Sequence, residues 1–260
     1  MIPEKLNEFR KRFKARDIPG GRFIWQVWGA HGPSPVLMLP GAQGTGEIFY
    51  RPALALAQAG LSPLSVTMPE TEDVEALVQS LAAMLDMLEL EKVDIVGTSL
   101  GSYIAQRFAL DHSTRVRKLV VGNGFSDATE VQSTRYDPDV LAATDAENLK
   151  SMMLGRIQAG PDGELRNALL EVMGRTQPAS TLKARALTVA KSIPITEPPL
   201  TSDRVLIIDS DPDPVLGDGL RDTQLALYPG AKHIRIENGT HYPYLAVPEI
   251  YVPALVEWLE

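Results

Sequence analysis

The chain has 260 residues, with 25 Lys and Arg against 33 Asp and Glu and a formal net charge of −8. That balance, with no compensating basic domain, weighs against a nucleic-acid partner. There is no cysteine, so disulfides and thiolate chemistry are excluded, and no run approaches the roughly 20 apolar residues of a membrane span.

Residues 1–20 read as a basic arm. Lys5, Arg10, Lys11, Arg12, Lys14 and Arg16 interleave with Leu6, Phe9 and Phe13, as in a helix that packs its aromatics on the body and leaves its charges in water. The competing use is contact with a membrane surface or a protein partner. Glu4, Glu8 and Asp17 speak against a transit peptide and no apolar signal region follows, so a cytoplasmic location is expected. Gly20-Gly21 is expected to end the helix. From Arg22 to Trp28 the residues alternate as in a partly exposed strand, and Pro35 to Leu39 is a short apolar run suited to a strand buried on both faces.

The loop after it, Pro40-Gly41-Ala42-Gln43-Gly44-Thr45-Gly46, lacks the glycine spacing of a dinucleotide site and the Gly-Lys-Ser/Thr of a phosphate loop. No nucleotide or other cofactor is expected. Residues 47–60 read as a helix closed by Gly60, residues 61–68 as a strand, and residues 71–90 as a helix with Glu72, Asp73 and Glu75 in its first turn.

Val93-Asp94-Ile95-Val96-Gly97-Thr98-Ser99-Leu100-Gly101-Ser102-Tyr103 then runs from strand through a G-x-S-x-G turn into a helix. This is the pattern of a nucleophile elbow. A turn that tight strains the serine backbone and leaves no room for side chains two positions away, hence Gly97 and Gly101. The helix to Leu110 aims its free N–H groups at charge developing beside Ser99. Residues 116–122 supply another buried strand, so strand and helix alternate as in a parallel, doubly wound sheet.

Between residues 125 and 200 that rhythm stops. Two helical stretches, 139–159 and 163–191, are separated by Gly160-Pro161-Asp162-Gly163, with no strand between them. An inserted helical cap is expected here, with Leu141, Met152, Met153, Leu154, Ile157, Leu170 and Met173 as an apolar lining for an acyl or alcohol group. The core would comprise residues 21–124 and 201–260. Residues 204–208 form its next strand, ending in Asp209, Asp211 and Asp213. A calcium loop does not fit them, because its sixth position would be Pro214 and its twelfth Leu220. A helix at 216–228, a last strand at 232–236 and a closing helix at 248–259 complete the chain.

A serine hydroxyl needs a base, and the base needs an orienting group. Asp213 follows the penultimate strand and His241 the last, in the order Ser, Asp, His that this kind of sheet brings to one edge. Asp213 is preferred to Asp211 because it lies farther out on the turn. The donors facing an oxyanion would be the N–H groups of Ala42 and Leu100. His31, His112 and His233 have no such context, and no cluster suggests a metal.

The sheet pattern, the Gly97 to Gly101 turn and the terminal histidine resemble the α/β-hydrolase superfamily over nearly the whole chain. More narrowly, the helix from Tyr103 to Phe108, the segment Leu119 to Asp127, and the tails Leu227-Tyr228-Pro229-Gly230 and Tyr242-Pro243-Tyr244-Leu245 resemble the maspardin-like branch. The superfamily's Gly-x-x-Asp pattern falls on Ser210 to Asp213, which supports Asp213 as the acid. The triad points to a serine hydrolase acting on a small-molecule acyl substrate through Ser99, His241 and Asp213, with a carboxylic ester ahead of a lactone, peptide or carbon–carbon bond; the resemblance favours the fold but supplies no substrate. It also implies an alternative, a catalytically silent scaffold that binds a protein through the cap or the arm.

Overall fold

The computed structural model describes residues 1–29, 32–132 and 136–260, so His31 lies outside the described residues. Eight strands form one sheet in the order β1-β2-β4-β3-β5-β6-β7-β8. They are β1 (Ala15–Gly20), β2 (Phe23–Gly29), β3 (Pro35–Leu39), β4 (Ser62–Thr67), β5 (Val93–Thr98), β6 (Val116–Gly122), β7 (Val205–Asp211) and β8 (Lys232–Glu237). From β4 onward across the sheet all pairings are parallel, while β1–β2 and β2–β4 are antiparallel.

The apolar runs are buried because helices cover both faces. Along β3, Leu37 and Leu39 join one core and Val36 and Met38 the other; β5 divides Ile95 from Val96 in the same way. The first face carries α3 (Val74–Met87) and α4 (Leu100–Asp111), together with α10 (Gly217–Leu227). The second carries α1 (Glu4–Arg12), α2 (Tyr50–Gln58) and α12 (Pro248–Leu259). Asp73 caps α3 by accepting from Ala76 N at 3.0 Å.

The N-terminal segment differs from the expected arm. Its helix stops at Arg12, and residues 15–20 continue as an edge strand in register with β2. Leu6 and Phe9 have no exposed surface, so the apolar face that would meet a membrane or partner is used on the protein's own body. Arg10 adds a polar tie, donating to Glu47 at 2.6 and 3.0 Å and to Glu171 at 2.8 Å.

Between β6 and β7 lie α5 (Thr129–Gln132), α6 (Pro138–Ala143), α7 (Ala146–Gln158), α8 (Glu164–Leu169) and α9 (Ala179–Ala190), with a π-helical turn at Leu170–Arg175. The two long helices expected here are each broken. Asp145 starts a new helix by capping Asn148 N at 3.0 Å, and Pro178 stands where α9 begins. A short helix α11 (Pro243–Ala246) follows β8.

Candidate active site

The carboxyl ends of β3, β5, β6, β7 and β8 face the same edge because those strands are parallel. Each delivers one part of the site. Ser99 follows β5 with φ 51° and ψ −123°, a conformation that L-residues adopt at a cost and that the surroundings must hold in place. They do so by the Ser99 N to Gly122 O bond of 3.0 Å and the Ser102 Oγ to Ser99 O bond of 2.6 Å.

The two flanking glycines are steric necessities. A Cβ on Gly97 would lie 2.5 Å from Gly101 O, and one on Gly101 would lie 2.1 Å from Leu39 O and 2.5 Å from Pro40 O. Gly101 is therefore where the elbow seats against the end of β3. A Cβ on Gly41 would meet Ser99 Cβ at 3.1 Å, which sets the loop after β3 directly beside the serine.

His241 and Asp213 are joined. His241 Nδ1 lies 2.8 Å from Asp213 Oδ2 and 3.1 Å from Oδ1. Asp213 Oδ1 also accepts from Val215 N at 2.8 Å and Leu216 N at 3.2 Å, and Asn123 Nδ2 donates to Oδ2 at 2.8 Å. Burial by itself would raise the Asp213 carboxyl, but the His241 ring, the Asn123 amide and the Val215 N–H outweigh it and hold the group below its ordinary value. With Nδ1 committed to Asp213, the free ring nitrogen of His241 is Nε2.

Ser99 and His241 line one cavity of about 30 Å³ with Gly41, Ala42, Tyr136 and Tyr242. No hydrogen bond joins the Ser99 hydroxyl to the His241 ring among the described residues. Ala42 reaches the cavity from the loop after β3, and Leu100 N is the first free N–H of α4.

The neighbouring carboxylates are engaged elsewhere. Asp211 pairs with Arg235 and Asp209 with His233 at 2.8 Å, so the three aspartates diverge and Asp213 alone meets His241. His112 ends α4 with its ring 4.8 Å from that of Phe108. The seven apolar residues expected to line the pocket do not line this cavity. Leu141 and Met153 pack against α9, Met173 is fully buried, and Met152 is exposed. Ile157 borders a separate groove. Among the described residues Tyr136 is the insertion's member of the cavity wall.

A family model for the alpha/beta hydrolase fold matches residues 62–245. The chain belongs to the α/β-hydrolase family. Within that family it is related to maspardin: the protein of Danio rerio is 30% identical over 231 residues, which is 85% of this chain and 74% of that protein. Among solved structures, a thermophilic esterase from Thermogutta terrifontis superposes with a TM-score of 0.77 at 18% identity, covering 95% of this chain and 98% of that one. An esterase from Exiguobacterium antarcticum gives 0.78 at 19%, covering 94% and 98%. At those identities the two structures speak for the shared fold alone.

In this α/β-hydrolase chain the residue that sequence reasoning passes over is Asn123. It sits directly after β6 with φ 37° and also donates to Thr240 O at 3.2 Å, so one amide braces the turns that carry Asp213 and His241. The available signal is its type and place: asparagine tolerates the left-handed region, and it stands at a strand end on the edge that holds Ser99.

Proposed function

We propose that this protein is a serine hydrolase of carboxylic esters with short acyl groups. Ser99 Oγ attacks the ester carbonyl while His241 Nε2 takes its proton, and the negative oxygen is met by the Ala42 and Leu100 N–H groups. His241 returns the proton to the departing alkoxide, leaving an acyl ester on Ser99. A water then gives its proton to His241 and attacks that ester, and the carboxylic acid leaves as Ser99 regains its hydrogen. Asp213 keeps Nδ1–H oriented and offsets the charge of the imidazolium throughout.

The observation that carries this reading is the Asp213–His241 bond at 2.8 Å in a cavity shared with a serine whose backbone is held strained. The maspardin relationship supplies the fold but no substrate. The narrowness of the cavity beside Ser99 supports a short acyl group over a long one.

A second reading is a catalytically silent scaffold that binds a protein partner. The missing Ser99–His241 hydrogen bond favours it. One experiment separates the two. The hydrolase reading expects a fluorophosphonate probe to label the native protein and not Ser99→Ala, and p-nitrophenyl acetate to be cleaved faster than the octanoate. A native protein that is folded but unlabelled, and inert across an ester series, belongs to the scaffold.

A further inference from the structure

Arg185 on α9 is 2% exposed. A guanidinium withdrawn from water is expensive unless its donors find acceptors, and here the acceptors are main-chain carbonyls. Nη1 donates to Gly44 O at 2.5 Å and Nη2 to Met68 O at 2.7 Å. Nε has no acceptor among the described residues. Burial pulls the group down to about 10, with Glu70 opposing it, so it remains a cation at neutral pH. Glu70 Oε2 is itself engaged with the hydroxyls of Ser180 and Thr181 at 2.7 and 2.8 Å.

Gln177, just before α9, is equally buried and donates through Nε2 to Ala42 O at 3.2 Å. Both residues therefore reach from the insertion to the loop beside Ser99. The peptides on either side of Ala42 are each held through their oxygen. Gly41 O accepts from Gly44 N at 3.0 Å, and Gly44 is anchored in turn by Arg185; Ala42 O accepts from Gln177. A peptide held by its oxygen has its N–H direction set, and the N–H between those two oxygens is that of Ala42. No hydrogen bond among the described residues occupies it.

We propose that Gln177 and Arg185 are positioning residues, which fix the Ala42 N–H toward the developing oxyanion so that the helical insertion acts on the chemical step through the loop after β3. This rests on the serine-hydrolase reading. It gives the costly burial of an arginine without a carboxylate a purpose that packing alone does not supply: a fixed dipole needs no reorganisation when charge appears.

The test uses the full chain as Gln177→Met, which keeps length but cannot donate, together with Arg185→Lys and Arg185→Met. Three quantities are read: thermal midpoint, hydrogen exchange over residues 40–46, and Ser99-dependent fluorophosphonate labelling with kcat and KM for p-nitrophenyl acetate. Misaligning a donor should cost less than deleting one, so kcat and labelling rate should fall roughly 10-fold for Gln177→Met and roughly 100-fold for Arg185→Met, with KM within about twofold. Arg185→Lys should recover part of the loss. Exchange over 40–46 should rise in all three, and the melting point of Gln177→Met should stay near that of the native protein. Unchanged exchange, or a labelling rate within about twofold of native in Gln177→Met, overturns the inference. If the native protein shows no Ser99-dependent labelling, the hydrolase reading fails separately, and exchange alone then upholds or overturns the hold on the loop.

Discussion

Asn123 is the residue on which the orientation of His241 turns. Its amide takes up one oxygen of Asp213 at 2.8 Å and the carbonyl of Thr240 at 3.2 Å, so it spans the two turns whose side chains must meet. Removing it in Asn123→Ala leaves the buried carboxylate short of a donor, which costs stability of order 1–3 kcal/mol and frees the imidazole to swing. On the serine-hydrolase reading, hydrolysis should fall roughly 10-fold, against roughly 10³- to 10⁴-fold for Asp213→Asn, where the tautomer itself is wrong. A pH signature accompanies the loss. Because the folded Asp213 binds its proton less tightly than the unfolded 3.8, its stabilising contribution is complete above that pH and disappears as pH falls through the lower folded value. Asn123→Ala raises the folded value, so the acid unfolding transition, followed by circular dichroism, should move to higher pH. An acid midpoint that stays put would show that the amide does not stabilise the carboxylate.

The turn between β5 and α4 and the packing of α1 make contrasting demands. At Gly101 an added Cβ would lie 2.1 Å from the Leu39 carbonyl oxygen, whereas at Gly60, with φ 86°, nothing lies within 4 Å. Gly101→Ala must push backbone against backbone, which should cost about 3 kcal/mol or more and abolish labelling of Ser99. Gly60→Ala strains only its own dihedral, at about 1 kcal/mol, and should leave labelling intact. Urea unfolding with probe labelling on both variants checks the contrast, and equal losses would refute it. Arg10 binds α1 to Glu47 and, across the chain, to Glu171, both nearly buried. Arg10→Met leaves Glu47 without its cation and Glu171 with Arg175 alone, at 3.3 Å, and should destabilise by about 2–4 kcal/mol in urea unfolding.

These elements were unequally legible in the sequence. The placement of Ser99, Asp213 and His241 at one sheet edge could be read because each follows a strand pattern, an apolar run before Ser99 and Asp213 and an alternating one before His241, and parallel strands end together. Strand β1 could not: Ala15–Gly20 carries one large apolar residue and a proline, and it exists through its register with β2. Gln177 and Arg185 were hidden for another reason. Their partners are carbonyls 135 and 141 residues away, and a carbonyl has no side-chain type for a pattern to reveal.

What joins the sheet, the insertion and the site into one body is a set of buried polar contacts near the carboxyl edge, and its tyrosines give it a weakness at high pH. Burial raises the phenols of Tyr50, Tyr103, Tyr228, Tyr242, Tyr244 and Tyr251 above their ordinary 10.0. A group whose folded value is raised stabilises the fold below its unfolded value, and that contribution is lost as pH climbs from there toward the folded value. Stability should therefore decline above about pH 10. Arg185 has the opposite sign, since it is held down to about 10, but one such group stands against six. The tyrosines are also unevenly placed. Tyr242, Tyr244 and Tyr251 form an edge-on series with ring centres 6.2 and 5.7 Å apart, beginning at the residue after His241, and Tyr242 holds Gln43 of the loop beside Ser99 at 3.0 Å. Ionising any of them places charge in an apolar stack under the turn that carries the imidazole. Ser99 labelling should accordingly fade at a lower pH than the far-ultraviolet circular dichroism signal, and phenolate absorbance from these rings should rise together with that loss of labelling, above the pH of about 10 at which an exposed phenol ionises. Coincident loss of labelling and secondary structure, or phenolate absorbance growing in near pH 10 with the fold intact, would show that these rings do not brace the His241 turn.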